Sequence, residues 1–192
     1  HMAIELASDL ALSGRVVVAG GAYGIEAVAH QSALASGGRT IAVLAGGVDR
    51  AYPAGHADLF ARIEQQGLLV SEVAPGVAPT RQRFLDRGRI MAALSSTTVI
   101  VEAGARSGSL RVADEAVELG RSVGAVPGPV TSAASYGSNI LIQDRRARLL
   151  TGSEDVLRLA AEDKSNDPNM ELSRAFRIAA ACDRRTPDSR GL

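Results

Sequence analysis

Three consecutive stretches decide how this chain is read: Phe84-Leu-Asp-Arg-Gly-Arg-Ile-Met-Ala-Ala-Leu-Ser95, then Thr98-Val-Ile-Val-Glu102, then Ala103-Gly-Ala-Arg-Ser-Gly-Ser109. The first has the spacing of a helix over residues 84–94. The second is a short, continuous apolar run, as expected of a parallel strand covered on both faces. The third is a small-residue loop that opens another helix over 109–119, closed by Gly120. Helix, strand, glycine loop and helix together make the repeating unit of a parallel sheet.

The same unit recurs on either side. Upstream, a helix over 4–12 stops at Ser13-Gly14, and Arg15-Val-Val-Val-Ala19 runs as a strand into Gly20-Gly-Ala-Tyr-Gly24. A helix over 25–36 follows, then the strand Thr40-Ile-Ala-Val-Leu44 with its loop Ala45-Gly-Gly-Val-Asp-Arg-Ala-Tyr-Pro53. Next come a helix over 56–66, a strand over 68–71 and a proline-containing loop. Downstream, Ser122-Val-Gly-Ala-Val126 is a fifth strand cut short by Pro127-Gly128. A short helix over 139–144 and a brief strand at Leu149-Leu150 lead to a last helix, for which Ser153 is the expected N-cap. Such alternation predicts an α/β fold, a doubly wound, mostly parallel sheet with helices on both faces. One domain over 3–161 is expected. Residues 162–192 read as a polar linker and tail with one amphipathic helix over 169–182.

Composition narrows the function. With 46% apolar residues the 192-residue chain can bury a real core, and with 3% aromatics and no Trp that core must be built from Ala, Val, Leu and Ile. The 21 basic and 21 acidic residues cancel, which argues against a protein that coats nucleic acid with its whole surface and leaves room for a local basic patch. Nearly all the basic residues are Arg, with Lys164 the sole lysine. Arginine suits bidentate phosphate contacts, and a G+C-rich genome produces the same bias. A single Cys182 excludes an internal disulfide framework. No apolar run has membrane-spanning length and no signal-peptide pattern is present, so a cytoplasmic location is expected. His1-Met2 reads as a cloning remnant.

In a parallel sheet, ligands bind beyond the carboxyl ends of the strands, and every glycine-rich or Arg-bearing loop named above lies at that edge. Arg81, Arg83, Phe84, Arg87 and Arg89 interleave cations with an aromatic, as on surfaces that track a nucleic-acid strand and stack its bases. A solvated helix face gives the same pattern. Arginines at a helix start, however, oppose the macrodipole unless an anion is bound. The loop from Glu102 through Arg106, Ser107, Gly108 and Ser109 offers backbone donors and a guanidinium to an anion. Gly20 and Gly21 permit close approach of a phosphate or serve only a tight turn. The stretch is neither G-x-G-x-x-G nor a P-loop, so no dinucleotide or nucleotide cofactor is expected. His30 and His56 read as structural, and no metal-ligand spacing is present.

Together these motifs become specific. Val18-Ala-Gly-Gly-Ala-Tyr-Gly-Ile-Glu-Ala-Val-Ala-His30, the 41–53 segment, the 84–95 segment, Glu102-Ala-Gly-Ala-Arg-Ser-Gly-Ser-Leu110 and Ala125-Val-Pro-Gly-Pro-Val-Thr-Ser132 resemble, in order, the successive motifs of the DNA-processing protein A (DprA/Smf) family. The resemblance implies an extended Rossmann-like domain that binds single-stranded DNA, forms a homodimer, and helps load a RecA-type recombinase during natural transformation and DNA recombination. It implies no enzymatic activity. Carried over by motif, Phe84 stacks on a base, Arg81, Arg87 and Arg89 meet phosphates, and the Arg106 to Ser109 loop offers backbone donors; Arg83, in the same cluster, and Gly20 and Gly21 complete the expected DNA-binding set.

The chain also departs from that pattern. Gly88 stands where the family usually has Asn, and Arg145-Arg146 follow Asp144 where a glycine is usual, in a segment that resembles the family's self-association region. The strand and Gly-Ser/Ala-Arg loop that ordinarily precede the first helix are absent, so a central strand and one pocket arginine are expected to be missing. No winged-helix module is recognisable in 162–192. Two other readings stay open at this level. One is a nucleotide-processing enzyme of the Rossmann-like phosphoribohydrolase type with Glu102 as acid/base, although its Pro-Gly-Gly-x-Gly-Thr-x-x-Glu signature is not found. The other is a fragment that serves only in protein association.

Overall fold

A computed structural model describes residues 1–50 and 52–164. The expected helix over 169–182 and the tail lie outside the described residues. Seven helices and six strands alternate among those described: α1 (Met2–Leu12), β1 (Val17–Ala19), α2 (Ile25–Ala35), β2 (Thr40–Leu44), α3 (Ala57–Gln66), β3 (Leu68–Ser71), α4 (Arg81–Leu94), β4 (Thr97–Ile100), α5 (Gly108–Glu118), β5 (Ser122–Ala125), α6 (Tyr136–Gln143), β6 (Arg148–Leu149) and α7 (Ser153–Lys164). None of these helices is long and apolar enough to cross a membrane.

Every strand pairing is parallel, as the alternation predicts, but the strands form two sheets of three, β1-β2-β3 and β4-β5-β6. The chain winds outward from β1 to β3, crosses the molecule through α4, and winds outward again from β4. Strands β1 and β4 therefore face each other across the middle without a hydrogen-bonded ladder between them. In a doubly wound sheet of order 3-2-1-4-5-6 the corresponding two strands are neighbours flanking the switch point.

Residue alternation along β4 shows how the layers lie. Val99 and Val101 pack with Leu6 of α1 and Val156 and Leu159 of α7, whereas Ile100 packs with Ala92 of α4, Ala113 and Ala116 of α5 and Leu141 of α6. Successive side chains of a strand point to opposite faces, so α1 and α7 cover one face and α4 to α6 the other. A third cluster joins Ala27 and Leu34 of α2 and Leu59, Phe60 and Ile63 of α3 to Ala42 and Leu44 of β2. Ile63 is wholly buried and Phe60 is 2% exposed; burying each such side chain contributes about 1.5–3 kcal/mol. Helix α1 spans the gap, packing on α2 on one side and α7 on the other.

Several boundaries differ from expectation by a few residues, and three of the differences have a local explanation. Helix α4 starts at Arg81 rather than Phe84 because Thr80 caps it, its hydroxyl accepting the Arg83 N–H at 3.3 Å. Helix α6 starts at Tyr136, continuing directly from a 3-10 turn at Ala133–Ser135. Ser153 is the first residue of α7 rather than its cap, and its hydroxyl donates to Asp9 of α1 at 2.7 Å. Asp155 instead closes that turn by accepting the Thr151 N–H and hydroxyl, each at 2.8 Å, which holds its carboxyl below the usual range.

Candidate nucleic-acid interface

Two strand-to-helix turns at the carboxyl edge carry the predicted residues, and they are built differently. The turn after β1 is closed by the protein itself. Glu26, in the first turn of α2, accepts the Gly20 N–H at 3.2 Å and the Ala22 N–H at 2.8 Å. Its carboxylate thus sits where an external anion would sit, on backbone donors at a helix N-terminus. Arg87 completes the arrangement, bonding Glu26 Oε2 at 2.8 Å and the Val43 carbonyl at 3.2 Å while only 6% exposed. Its Nε is buried with no partner among the described residues.

The glycines of this turn are explained by their neighbours. A Cβ at Gly20 would collide with the Arg87 guanidinium, and one at Gly21 would lie 2.5 Å from the Phe60 ring. Gly20 and Gly21 thus answer the tight-turn reading of the sequence in the conformation described, with their neighbouring donors taken by Glu26. Both histidines are structural as well. The His30 Nε2–H donates to the Gly20 carbonyl at 2.7 Å, and Nδ1 lies 2.6 Å from the Thr40 hydroxyl, which itself lies 2.7 Å from the Val17 carbonyl. Burial, abetted by Arg87 and His56, holds the His30 pKa below its ordinary value against the raising pull of the Gly20 carbonyl and Glu26. His56 Nδ1–H donates to the Gly21 carbonyl at 3.0 Å, and its ring packs edge-on against Tyr23.

The second turn, after β4, is open. Ser107 caps α5, its hydroxyl accepting the Ser109 N–H at 3.3 Å, and Gly108 begins the helix. Arg106 is exposed and has no hydrogen bond or ion pair among the described residues. Glu102, at the end of β4, is likewise exposed and unpaired, with no catalytic partner bonded to it. Among the described residues no group of three or more His, Cys, Asp or Glu could hold a metal ion.

Helix α4 begins beside this open turn; a Cβ on Gly108 would meet Leu85 at 3.7 Å, ordinary contact. Arg81 is exposed and unpaired in the first turn of α4, and Arg83 donates to the Ala78 carbonyl at 2.6 Å. Phe84 is half-buried, with the Arg87 guanidinium 4.8 Å from its ring centre and Tyr52 edge-on at 5.7 Å. Arg89, two turns on, is exposed and ion-paired to Glu72. Asp86 pairs with Arg111 of α5 at 3.3 Å, fixing the two helices together. Phe84 and Leu85 of α4 therefore line one cavity with Gly108 and Ser109 of α5, Arg81 opens α4 one turn before Phe84, Arg106 precedes the cap of α5, and Arg87 joins Phe84 to the Gly20 turn.

Charge at the helix starts follows the same division. Helices α1, α2, α3 and α7 each carry an acidic residue in the first turn, whereas α4, α5 and α6 carry none; of those three only α4 and α5 belong to this edge. An acidic residue there is worth about 0.3–1 kcal/mol to a helix. Arginines at the start of α4 forgo that stabilisation.

Two of the departures, at Gly88 and Arg145, have structural answers. A Cβ at Gly88 would meet Val112 Cγ2 at 3.0 Å, so glycine lets α4 and α5 approach closely at this point. Arg145 holds φ 58°, the left-handed conformation that favours glycine. Sequence reasoning missed Glu26 and Tyr52. An acid in the first turn after a glycine loop was a visible signal for Glu26; nothing local marked Tyr52, whose partner is 32 positions away.

The sequence profile described as "DNA recombination-mediator protein A" matches residues 1–161. A putative DNA processing protein DprA of Mycobacterium tuberculosis is 52% identical over 157 residues, 82% of this chain and 40% of that protein. The crystallographic DNA processing protein A of Streptococcus pneumoniae superposes with a TM-score of 0.76 at 38% identity, covering 82% of this chain and 55% of its own. DNA processing protein A from Helicobacter pylori, solved to explain its single-stranded DNA binding mode, superposes with a TM-score of 0.75 at 29% identity, covering 84% and 73%. This chain thus spans two-fifths to half the length of the curated relatives it matches.

Proposed function

Because the chain belongs to the DNA recombination-mediator protein A family, we infer that the edge formed by the starts of α4 and α5 binds single-stranded DNA and performs no chemistry on it. The observation that carries this reading is the pair of adjacent helix N-termini without acidic residues, flanked by Arg81 and Arg106, exposed and unpaired. Unpaired N–H groups, the helix dipoles and a free guanidinium at each helix start all favour phosphate there. The Helicobacter pylori relative binds single-stranded DNA, and the same ligand fits this edge.

In this reading Arg81 and Arg106 meet successive phosphates, with Arg83 and Arg89 extending the track along α4. Phe84, with the half-exposed Tyr52 against it, offers a stacking platform for a base. Arg87 acts from behind, orienting Phe84 and stiffening the closed turn. Presentation of the bound strand to a RecA-type recombinase by a cytoplasmic homodimer, in natural transformation, is the wider role the family resemblance supports.

Titration of labelled oligo-dT at low salt tests the reading. Binding is expected for the wild type, and charge reversal at Arg81 and Arg106 together should abolish it. Phe84→Ala should weaken it by about 1–3 kcal/mol if a base stacks there. Absence of binding at low salt, or binding indifferent to both charge reversals, overturns the proposal.

A further inference from the structure

The loop that leaves β2 contributes Tyr52 to the edge at α4 and α5, and it also holds a cation that the edge does not use. Arg50 is exposed, and its side chain has no hydrogen bond or ion pair among the described residues. The backbone beneath it is fixed. The Gly47 N–H donates to the Val77 carbonyl at 2.9 Å, the Arg50 N–H donates to the Gly47 carbonyl at 2.9 Å, and both Asp49 carboxylate oxygens accept the Gly76 N–H, at 2.8 and 2.9 Å. Arg50 is therefore a free guanidinium on a held loop, two positions before the ring that lies against Phe84.

A further ring stands at the neighbouring turn. Tyr23, after β1, is 67% exposed and yet held in place. Its ring centre lies 4.3 Å from that of the buried His56, which is itself tied to the Gly21 carbonyl and packs edge-on against Phe60. A Cβ at Gly55 would come 2.5 Å from the Tyr23 hydroxyl, so that hydroxyl rests on the short 3-10 turn Ala54–His56. Gly55 is three residues past Tyr52, at most about 11 Å of chain. Strands β1 and β2 are adjacent and parallel, so the turns that leave them share one edge of the sheet. A tyrosine whose task was to cover His56 would bury its own surface, and two-thirds of this one stays in water. An exposed ring whose position is already fixed offers a ligand contact area at low entropic cost.

We propose that a single strand of DNA bound at the start of α4 continues across the carboxyl ends of β2 and β1, with Arg50 on a phosphate and Tyr23 stacking a second base beyond the pair Phe84 and Tyr52. This path extends, and depends on, the single-stranded DNA reading of the edge at α4 and α5. Arg50, Tyr52 and Tyr23 repeat on the β1–β2 side the mixture of cations and rings that Arg81, Arg83 and Phe84 make on α4. Such a mixture takes any sequence, because every nucleotide has a phosphate and a face to stack. Its ligand is a strand of linked nucleotides rather than one nucleotide, since the rings are spread over two loops and a helix.

Titration of the whole chain with oligo-dT of about 16 nucleotides tests the path. The sequence has three tyrosines and no tryptophan, so tyrosine emission reports stacking directly. Binding should quench that emission. Tyr23→Ala should lose part of the quench and weaken binding about 5- to 150-fold, whereas Tyr23→Phe, which keeps the ring, should bind as the wild type does. Arg50→Ala removes an exposed, unpaired side chain and should make the slope of log affinity against log salt shallower by about 0.7. Unchanged affinity in Tyr23→Ala, or an unchanged slope in Arg50→Ala, overturns the path, and the edge at α4 and α5 survives that result if Arg106→Ala still alters the slope. Equal weakening by Tyr23→Phe and Tyr23→Ala assigns the effect to the hydroxyl on the Gly55 turn and overturns stacking at Tyr23. Absence of binding by the wild type overturns the edge itself, and the path with it.

Discussion

The turn after β1 and the turn after β4 have the same plan, a parallel strand, small residues and a helix, yet one is closed and the other open. In the first, Glu26 lies on the loop's own N–H groups and Arg87 neutralises it from behind. In the second, Ser107 makes one capping bond and Arg106 projects free. A helix N-terminus attracts negative charge wherever it occurs. What differs is whether the chain supplies that charge or leaves it to a ligand, and a loop rich in glycine is by itself no guide.

Removing Arg87 should break the closed turn most severely. Arg87→Ala leaves Glu26 partly buried without its counter-charge and takes the cation off Phe84, and a loss of about 3–5 kcal/mol in unfolding free energy is expected; a loss below about 1 kcal/mol in urea denaturation would mean the pair is dispensable. Glycine replacements sharpen the contrast next. Gly21→Ala drives a Cβ into Phe60 and should cost about 1–3 kcal/mol, whereas Gly108→Ala, at a helical position where the Cβ meets only Leu85 at ordinary contact, should be neutral or stabilise by up to about 1 kcal/mol. Equal effects at the two sites would erase the distinction.

Acid should loosen the closed turn more gently. Burial lowers the His30 pKa in the folded state below that of the unfolded chain. Above about pH 6.5 both states are neutral and the contribution of His30 is complete; as pH falls through that value the unfolded chain takes up the proton first, and stability declines until the folded pKa is passed. Thermal unfolding followed from about pH 7.5 to 5.5 should show this decline, reduced in His30→Gln. Identical pH profiles for the two proteins would remove His30 from the account.

Much of this was legible in the chain. The strands Thr40–Leu44 and Leu68–Ser71 match their expected limits, because unbroken apolar runs between turn residues leave few alternatives. Crowding was less visible. Arg87 reads from sequence as one more cation in a row, and only its contact with Glu26, 61 positions away, turns it inward. Exposure along a helix follows from what packs on it, so Arg81 and Arg87, alike in local sequence, have opposite surroundings. That β1 and β4 share no ladder, and that the Thr97 hydroxyl is buried without a partner among the described residues, belong to the assembled fold.

The open turn carries the claim about function, and its most direct test is the salt dependence of oligo-dT binding by the wild type and by Arg106→Ala. Each phosphate neutralised on a single strand contributes about −0.7 to the slope of log affinity against log salt. A linear fall in the wild type is predicted, with a slope shallower by about 0.7 when Arg106 is removed. Affinity independent of salt, or a slope unchanged by the substitution, would contradict an anion site at the start of α5.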